Sequence, residues 1–259
     1  MNQYSNELKP KVFIGGSSWA RGEWQGPNVS HRGLVQYFID AGYQVIDASQ
    51  ARSYHSRAIQ NLKNTLEKQY QPNDIVLFVM ADPLLDIIMP ELAKLHIKRN
   101  DQVKNLQQFS NEIKLAGGVV ALIRKMQDQI YNQLNAVADQ FNTTIHCIGG
   151  TYNVNTNISK NYQNLHPLVV SWIYLLVGHF QEHPGIDHPE FGISYTWGID
   201  YINLDLYEQT FAKQVQEEVQ SISDKTGIMK ELIFHPDGLH PNREGHKILF
   251  DHLIKQLKL

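Results

Sequence analysis

The sequence predicts an α/β domain in which a parallel sheet is covered by helices on both faces. Short apolar runs that end in glycine or turn residues alternate with segments of helical periodicity, giving strand, helix, strand, helix, strand within about the first 80 residues. Right-handed crossovers follow as the default for parallel neighbours.

The first strand is "KVFIGG", Lys11 to Gly16, an apolar run closed by two glycines as in an inner parallel strand feeding a loop. A helix follows in "HRGLVQYFIDAG", where Leu34, Val35, Tyr37 and Phe38 form an apolar stripe and Gly42 marks the C-terminal end. "YQVIDAS" is the second strand. In "SRAIQNLKNTLEKQY" the spacing of Ile59, Leu62 and Leu66 is helical, and the turn "QPND" leads into the third strand, "IVLFVMA".

The middle of the chain contains helical periodicity in "QVKNLQQFSNEIKLA", a break at Gly117 and Gly118, a second helix in "KMQDQIYNQLNAVADQF" and a strand in "TIHCIGG". The run "VVALI" fits either a strand or the start of that second helix. "TYNVNTNISKNYQN" is an Asn-rich loop, and "PLVVSWIYLLVGHF", Pro167 to Phe180, is expected to be a buried core helix, too short to span a bilayer. A loop or lid insertion is expected around residues 151–203 of a single domain covering 1–259. Helices around "LYEQTFAKQVQEEVQSIS" and "REGHKILFDHLIKQL" close the chain.

The totals exclude several classes of protein. A net charge of −3 with scattered lysine and arginine offers no basic stripe for nucleic acid and no basic membrane-surface helix. A hydrophobic share of 42% is too rich for a disordered chain, and one cysteine, Cys147, leaves no internal disulfide framework. The polar start "MNQYSNELKPK" lacks the pattern of a signal peptide, so a cytoplasmic or virion-associated protein is expected.

Two blocks carry chemistry. Ser17 and Ser18 lie just beyond the first strand, on the side of an open α/β sheet where ligands bind. A serine there becomes a nucleophile when a histidine takes its proton and a carboxylate fixes that histidine. "PDGLHPN" supplies both partners, Asp237 and His240, on a Pro-flanked turn.

"GGSSWARGEW" at Gly15 to Trp24 and "DGLHP" at Asp237 to Pro241, in this order, resemble the SGNH-hydrolase superfamily of GDSL esterases and lipases, in particular its phage-type members. The resemblance implies a flavodoxin-like, three-layer α/β/α sandwich, the same architecture that the alternation of elements predicts. It also implies Ser18 as nucleophile, His240 as general base and Asp237 as its orienting carboxylate, with Ser17, Trp19 and Glu23 lining the site. The implied activity is hydrolysis of an ester, with an O-acyl group on a carbohydrate as a candidate substrate, and it requires no cofactor or metal.

The chain departs from the family pattern in three places. Ser17 stands where the family has an aspartate before its serine. The oxyanion-holding glycine would fall near Arg52, where there is none, and the asparagine after the third strand is replaced by Ala81 and Asp82. Removing one such donor typically slows catalysis roughly 100- to 1000-fold. Asn153 or Asn155, beyond the fourth strand, are candidate substitutes.

Other readings compete at these positions. Ser17 and Ser18 also suit a helix N-cap or turn, and Asp237 and His240 suit the cap of the last helix, with Pro241 in its first turn. His235, Asp237, His240 and His246, or His179, His183 and His188, are spaced as metal ligands, although twelve histidines produce such groups by chance. Trp19, Trp172 and Trp197 suit a core, Arg52 and Arg57 suit solvated helix starts or an anionic substrate, and Gly149-Gly150 suits a tight turn. From a different class, a binding or virion structural protein that retains the fold without a working oxyanion hole accommodates the same departures.

Overall fold

Val12–Gly16 (β1), Val45–Ser49 (β2), Ile75–Met80 (β3), Ile145–Gly149 (β4) and Leu165–Val169 (β5) form one sheet in the order β2-β1-β3-β4-β5, with every pairing parallel. This is the strand order of a flavodoxin-like fold. The computed structural model describes residues 9–21, 31–50, 53–80, 111–112, 114–150, 153–172, 175–176 and 241–259.

Helices cover both faces, because successive side chains of a strand point to opposite sides. On one face Val12, Ile14, Leu77, Val79 and Ile148 pack against Leu34–Asp40 (α2) and Arg243–Leu257 (α6), through Leu34, Val35, Phe38, Leu249 and Leu253. On the other, Phe13, Val76, Phe78 and Met80 meet His55–Gln69 (α3) and Val119–Phe141 (α4) through Ile59, Leu62, Leu66, Ile130 and Leu134. Both clusters are buried, so the three-layer sandwich follows directly from the alternation along each strand. Ser18–Arg21 (α1) and Ile158–Asn161 (α5) are single turns.

The local chemistry explains where several elements stop. After α2, Gly42 at φ 83 donates its N–H to Ile39 and Tyr43 donates to Phe38, the double bond of a Schellman motif. Tyr43 then packs edge-on against Phe38 at 5.7 Å, the apolar contact that accompanies this motif. Asn142 ends α4 in the left-handed conformation at φ 47. Asp74 ties the starts of two strands together, accepting from the Lys11 backbone N–H at 3.0 Å and from Gln71 at 2.8 Å.

The structure resolves one ambiguity and corrects one expectation. "VVALI" is the start of α4, which runs unbroken from Val119. The apolar segment from Pro167 does not begin as a core helix: Leu165–Val169 is the edge strand β5, inside the stretch expected to be loop or lid. An edge position tolerates proline, which has no N–H to donate, and the register shifts beside the Cys147–Pro167 pair. The Asn-rich loop likewise contains the turn α5. Residues 177–203, the rest of that stretch, and the helix expected around 206–223 lie outside the described residues.

Candidate active site

The register aligns the carboxyl ends of the strands. Gly16 of β1 pairs with Ser49 of β2 and Val79 of β3, and Met80 pairs with Gly149 of β4. Ser17 and Ser18 after β1, Gln50 after β2 and Asn153 beyond β4 therefore all lie at one edge of the sheet. Within it β1 is the point where the strand order reverses, the crevice in which open α/β sheets bind ligands.

The two glycines before the serines are there for close approach. A Cβ on Gly16 would stand 2.6 Å from the Val79 carbonyl oxygen, and its φ of 131 is one that side-chain-bearing residues rarely adopt. Gly15 lets Phe78 and Leu62 press against β1. The chain then turns directly into α1, where the Ser17 carbonyl accepts the Ala20 N–H at 3.1 Å. Ser17 is buried and Ser18, the first helical residue, is half-buried. Trp19 is 2% exposed and packs in the core, edge-on to Trp172 at 5.6 Å.

Past β4 the backbone is again held close. A Cβ on Gly150 would lie 2.5 Å from the Met80 carbonyl oxygen and 3.5 Å from the Trp19 ring, so the exit of β4 packs on β3 and α1. Asn153 is buried. Its carbonyl accepts from Gln127 Nε2 at 3.2 Å, the same amide donates to the Tyr131 hydroxyl at 2.8 Å, and that hydroxyl accepts the Asn155 N–H at 3.0 Å. Asn155 is exposed, and its side-chain carbonyl closes a local turn on the Asn157 N–H. Of the two asparagines, Asn153 is thus the one set into the strand-end edge.

Burial alone pushes the Cys147 thiol up to about 12, which keeps it protonated and unreactive within the core. Burial likewise raises the Tyr131 phenol above its ordinary range, so it stays a neutral hydrogen-bonding group.

On the C-terminal side, the N-cap of α6 is Asn242, whose Oδ1 accepts the Gly245 N–H at 3.0 Å. Neither Asp237 nor His240 holds that position, and Pro241 precedes the cap instead of standing in the first turn. His246 is turned into the core: its Nδ1 accepts the Leu34 N–H at 3.1 Å, and its ring meets Trp172 edge-on at 4.9 Å. Trp172 donates its indole N–H to the Gly245 carbonyl at 3.1 Å. Glu23, Arg52, Ala81, Asp82, Asp237 and His240 lie outside the described residues, as do His179, His183, His188, His235 and Trp197. Among the described residues, no three histidine, cysteine or carboxylate side chains gather as a metal site, and no helix is long and apolar enough to cross a membrane.

Reading the sequence missed two features around this edge. The Gln127–Tyr131 pair does have a sequence signal, since both sit in the buried stripe of α4 four residues apart, and a glutamine in such a stripe needs a partner. The contacts of Trp172 with Gly245 and His246 span 73 residues or more and leave no local signature.

No protein family and no curated protein matches this sequence. Among solved structures, the chain is similar to a psychrotrophic esterase, EstA, from Pseudoalteromonas sp., with 14% identity, 96% of this chain and 97% of that one covered, and a TM-score of 0.41. It is also similar to a member of the lipolytic G-D-S-L family from Veillonella parvula, with 12% identity, 95% and 97% covered and a TM-score of 0.40. A third is a catalytic mutant of an acetylxylan esterase from Geobacillus stearothermophilus, with 11% identity, 96% and 94% covered and a TM-score of 0.41. The architecture described above stands on the strand order itself, and these low-identity likenesses say nothing of chemistry in this chain.

Proposed function

We propose that this chain is a serine esterase of the SGNH-hydrolase type, with Ser18 as nucleophile, His240 as general base and Asp237 orienting His240. The observation that supports it most is the position of Ser17 and Ser18 directly beyond β1, at the reversal of strand order. The capping of α6 by Asn242 also removes the simplest competing role for Asp237 and His240.

In this reading Ser18 Oγ attacks the ester carbonyl carbon while His240 takes its proton. The tetrahedral intermediate expels the alcohol, which leaves with the proton from His240, and an acyl-serine remains. Water, deprotonated by His240, attacks the acyl carbon, and release of the acid restores Ser18. Backbone N–H groups near Arg52, Ala81 and Asp82, with the Asn153 amide, are the proposed donors to the oxyanion. Ser17, Trp19 and Glu23 support the nucleophile's loop. The substrate class is an ester, with an O-acyl carbohydrate the preferred candidate, and the chemistry needs neither metal nor cofactor.

The experiment is release of acetate or p-nitrophenol from acetylated xylan and p-nitrophenyl acetate. Ser18→Ala and His240→Ala are each expected to lower turnover by about 1000-fold or more.

A second reading is a binding or virion protein that keeps the fold without catalysis. The absence of glycine at Arg52 and of an amide at Ala81 and Asp82 favours it. It predicts no turnover by the folded native chain on any ester.

A further inference from the structure

We infer that Trp172 is a positioning residue for the catalytic base, a role that rests on the serine-esterase reading. Trp172 is fully buried and contacts both the residue after Ser18 and the first turn of α6. Its ring packs edge-on against Trp19, the residue after Ser18, at 5.6 Å and an interplanar angle of 79°. Its indole N–H donates to the carbonyl of Gly245, five residues after His240, at 3.1 Å.

Gly245 is held from both sides, because its N–H is taken by Asn242 Oδ1 at 3.0 Å and its carbonyl by Trp172. The neighbouring His246 is fixed in turn, against the Trp172 ring at 4.9 Å and onto the Leu34 N–H. One side chain therefore fixes the distance between the helix that begins at Ser18 and the first turn of α6, which starts three residues after His240 in sequence.

That distance matters to the chemistry. A serine and its base must approach to about 2.6–3.2 Å, and a displacement of about 1 Å lowers rate on the order of 100-fold. An apolar residue would fill the space equally well, but it would not tie the ring to the backbone of α6. A buried tryptophan usually spends its N–H on such a bond.

The test compares the rate of covalent labelling by a fluorophosphonate in the native chain, Trp172→Phe, His240→Ala and the double variant. A second replacement of Trp172, by β-(3-benzothienyl)alanine, keeps the shape of indole and removes only the donor, which separates loss of the bond from loss of packing. Both single replacements at position 172 are expected to label between about 10- and 100-fold more slowly than the native chain. Adding Trp172→Phe to His240→Ala is expected to slow labelling no further, because the two act through one group. Native-like labelling by the benzothienyl variant overturns the inference while the esterase reading survives. A multiplicative loss in the double variant overturns it too, since Trp172 would then act apart from His240. If the native chain fails to label, the esterase reading falls and this inference with it.

Discussion

The Nδ1 atom of His246, in the first turn of α6, accepts the backbone N–H of Leu34, in the first turn of α2, at 3.1 Å. The first N–H groups of a helix have no partner within it, and Gly33, the N-cap of α2, has no side chain with which to supply one. A histidine 212 residues away in sequence does so instead, and it locks two helices of one layer together. A ring nitrogen that accepts this bond carries no proton, so the imidazole holds its hydrogen on Nε2.

His246→Leu keeps approximate volume and leaves the Leu34 N–H buried without its acceptor. The expected loss is about 1–3 kcal/mol in unfolding free energy, read from the urea midpoint. An unchanged midpoint would show that the bond between the helices contributes nothing.

The two glycines of β1 should respond differently to alanine. At Gly16 the methyl group would meet a backbone oxygen of β3 at a left-handed φ, and neither can move without parting the sheet. At Gly15 the nearest atoms are the Phe78 ring and a Leu62 methyl, which can shift. Gly16→Ala is expected to destabilise by about 3 kcal/mol or more and Gly15→Ala by roughly 1–3 kcal/mol, on the scale of strain and overpacking. Thermal midpoints of the two variants decide the order.

Tyr131→Phe removes the hydroxyl that accepts from both Gln127 and Asn155. The buried Gln127 amide and the part-buried Asn155 N–H both lose this acceptor, with an expected loss of about 2 kcal/mol. If Asn153 serves the oxyanion, turnover should fall with little change in KM, because the Gln127 amide that holds the Asn153 carbonyl is set by the same hydroxyl. Gln127→Met is expected to show the same pairing of effects.

Stability should fall in acid. Burial first, and the neighbouring His166 second, lower His146 from 6.5 to about 4. The folded-state value lies below the unfolded one, so between the two the unfolded chain binds more protons. The stability present above about pH 6.5 is therefore lost as pH falls through about 4, by up to about 3 kcal/mol. Burial and Lys255 lower His252 as well, which adds in the same direction. His146→Phe should flatten the dependence of the urea midpoint between pH 7 and pH 4.

The sheet was legible because each inner strand is a short apolar run with its own turn signals, and helices such as α3 and α6 show their stripes within a few residues. The edge strand β5 was not, because "PLVV" merges into a longer apolar run whose period does not separate strand from helix. The turn from β1 into α1 could be located from Gly15, Gly16 and the serines alone. The role of His246 could not, since its partners Leu34 and Trp172 are brought to it only by packing of α2, α6 and the segment after β5.

The most direct test of the account is the site of covalent modification by a fluorophosphonate probe, read by peptide mass spectrometry. The account predicts one phosphonylated residue, Ser18, in the native chain, and no label on folded Ser18→Ala. A folded native chain that takes no label, or takes it at another residue, contradicts it.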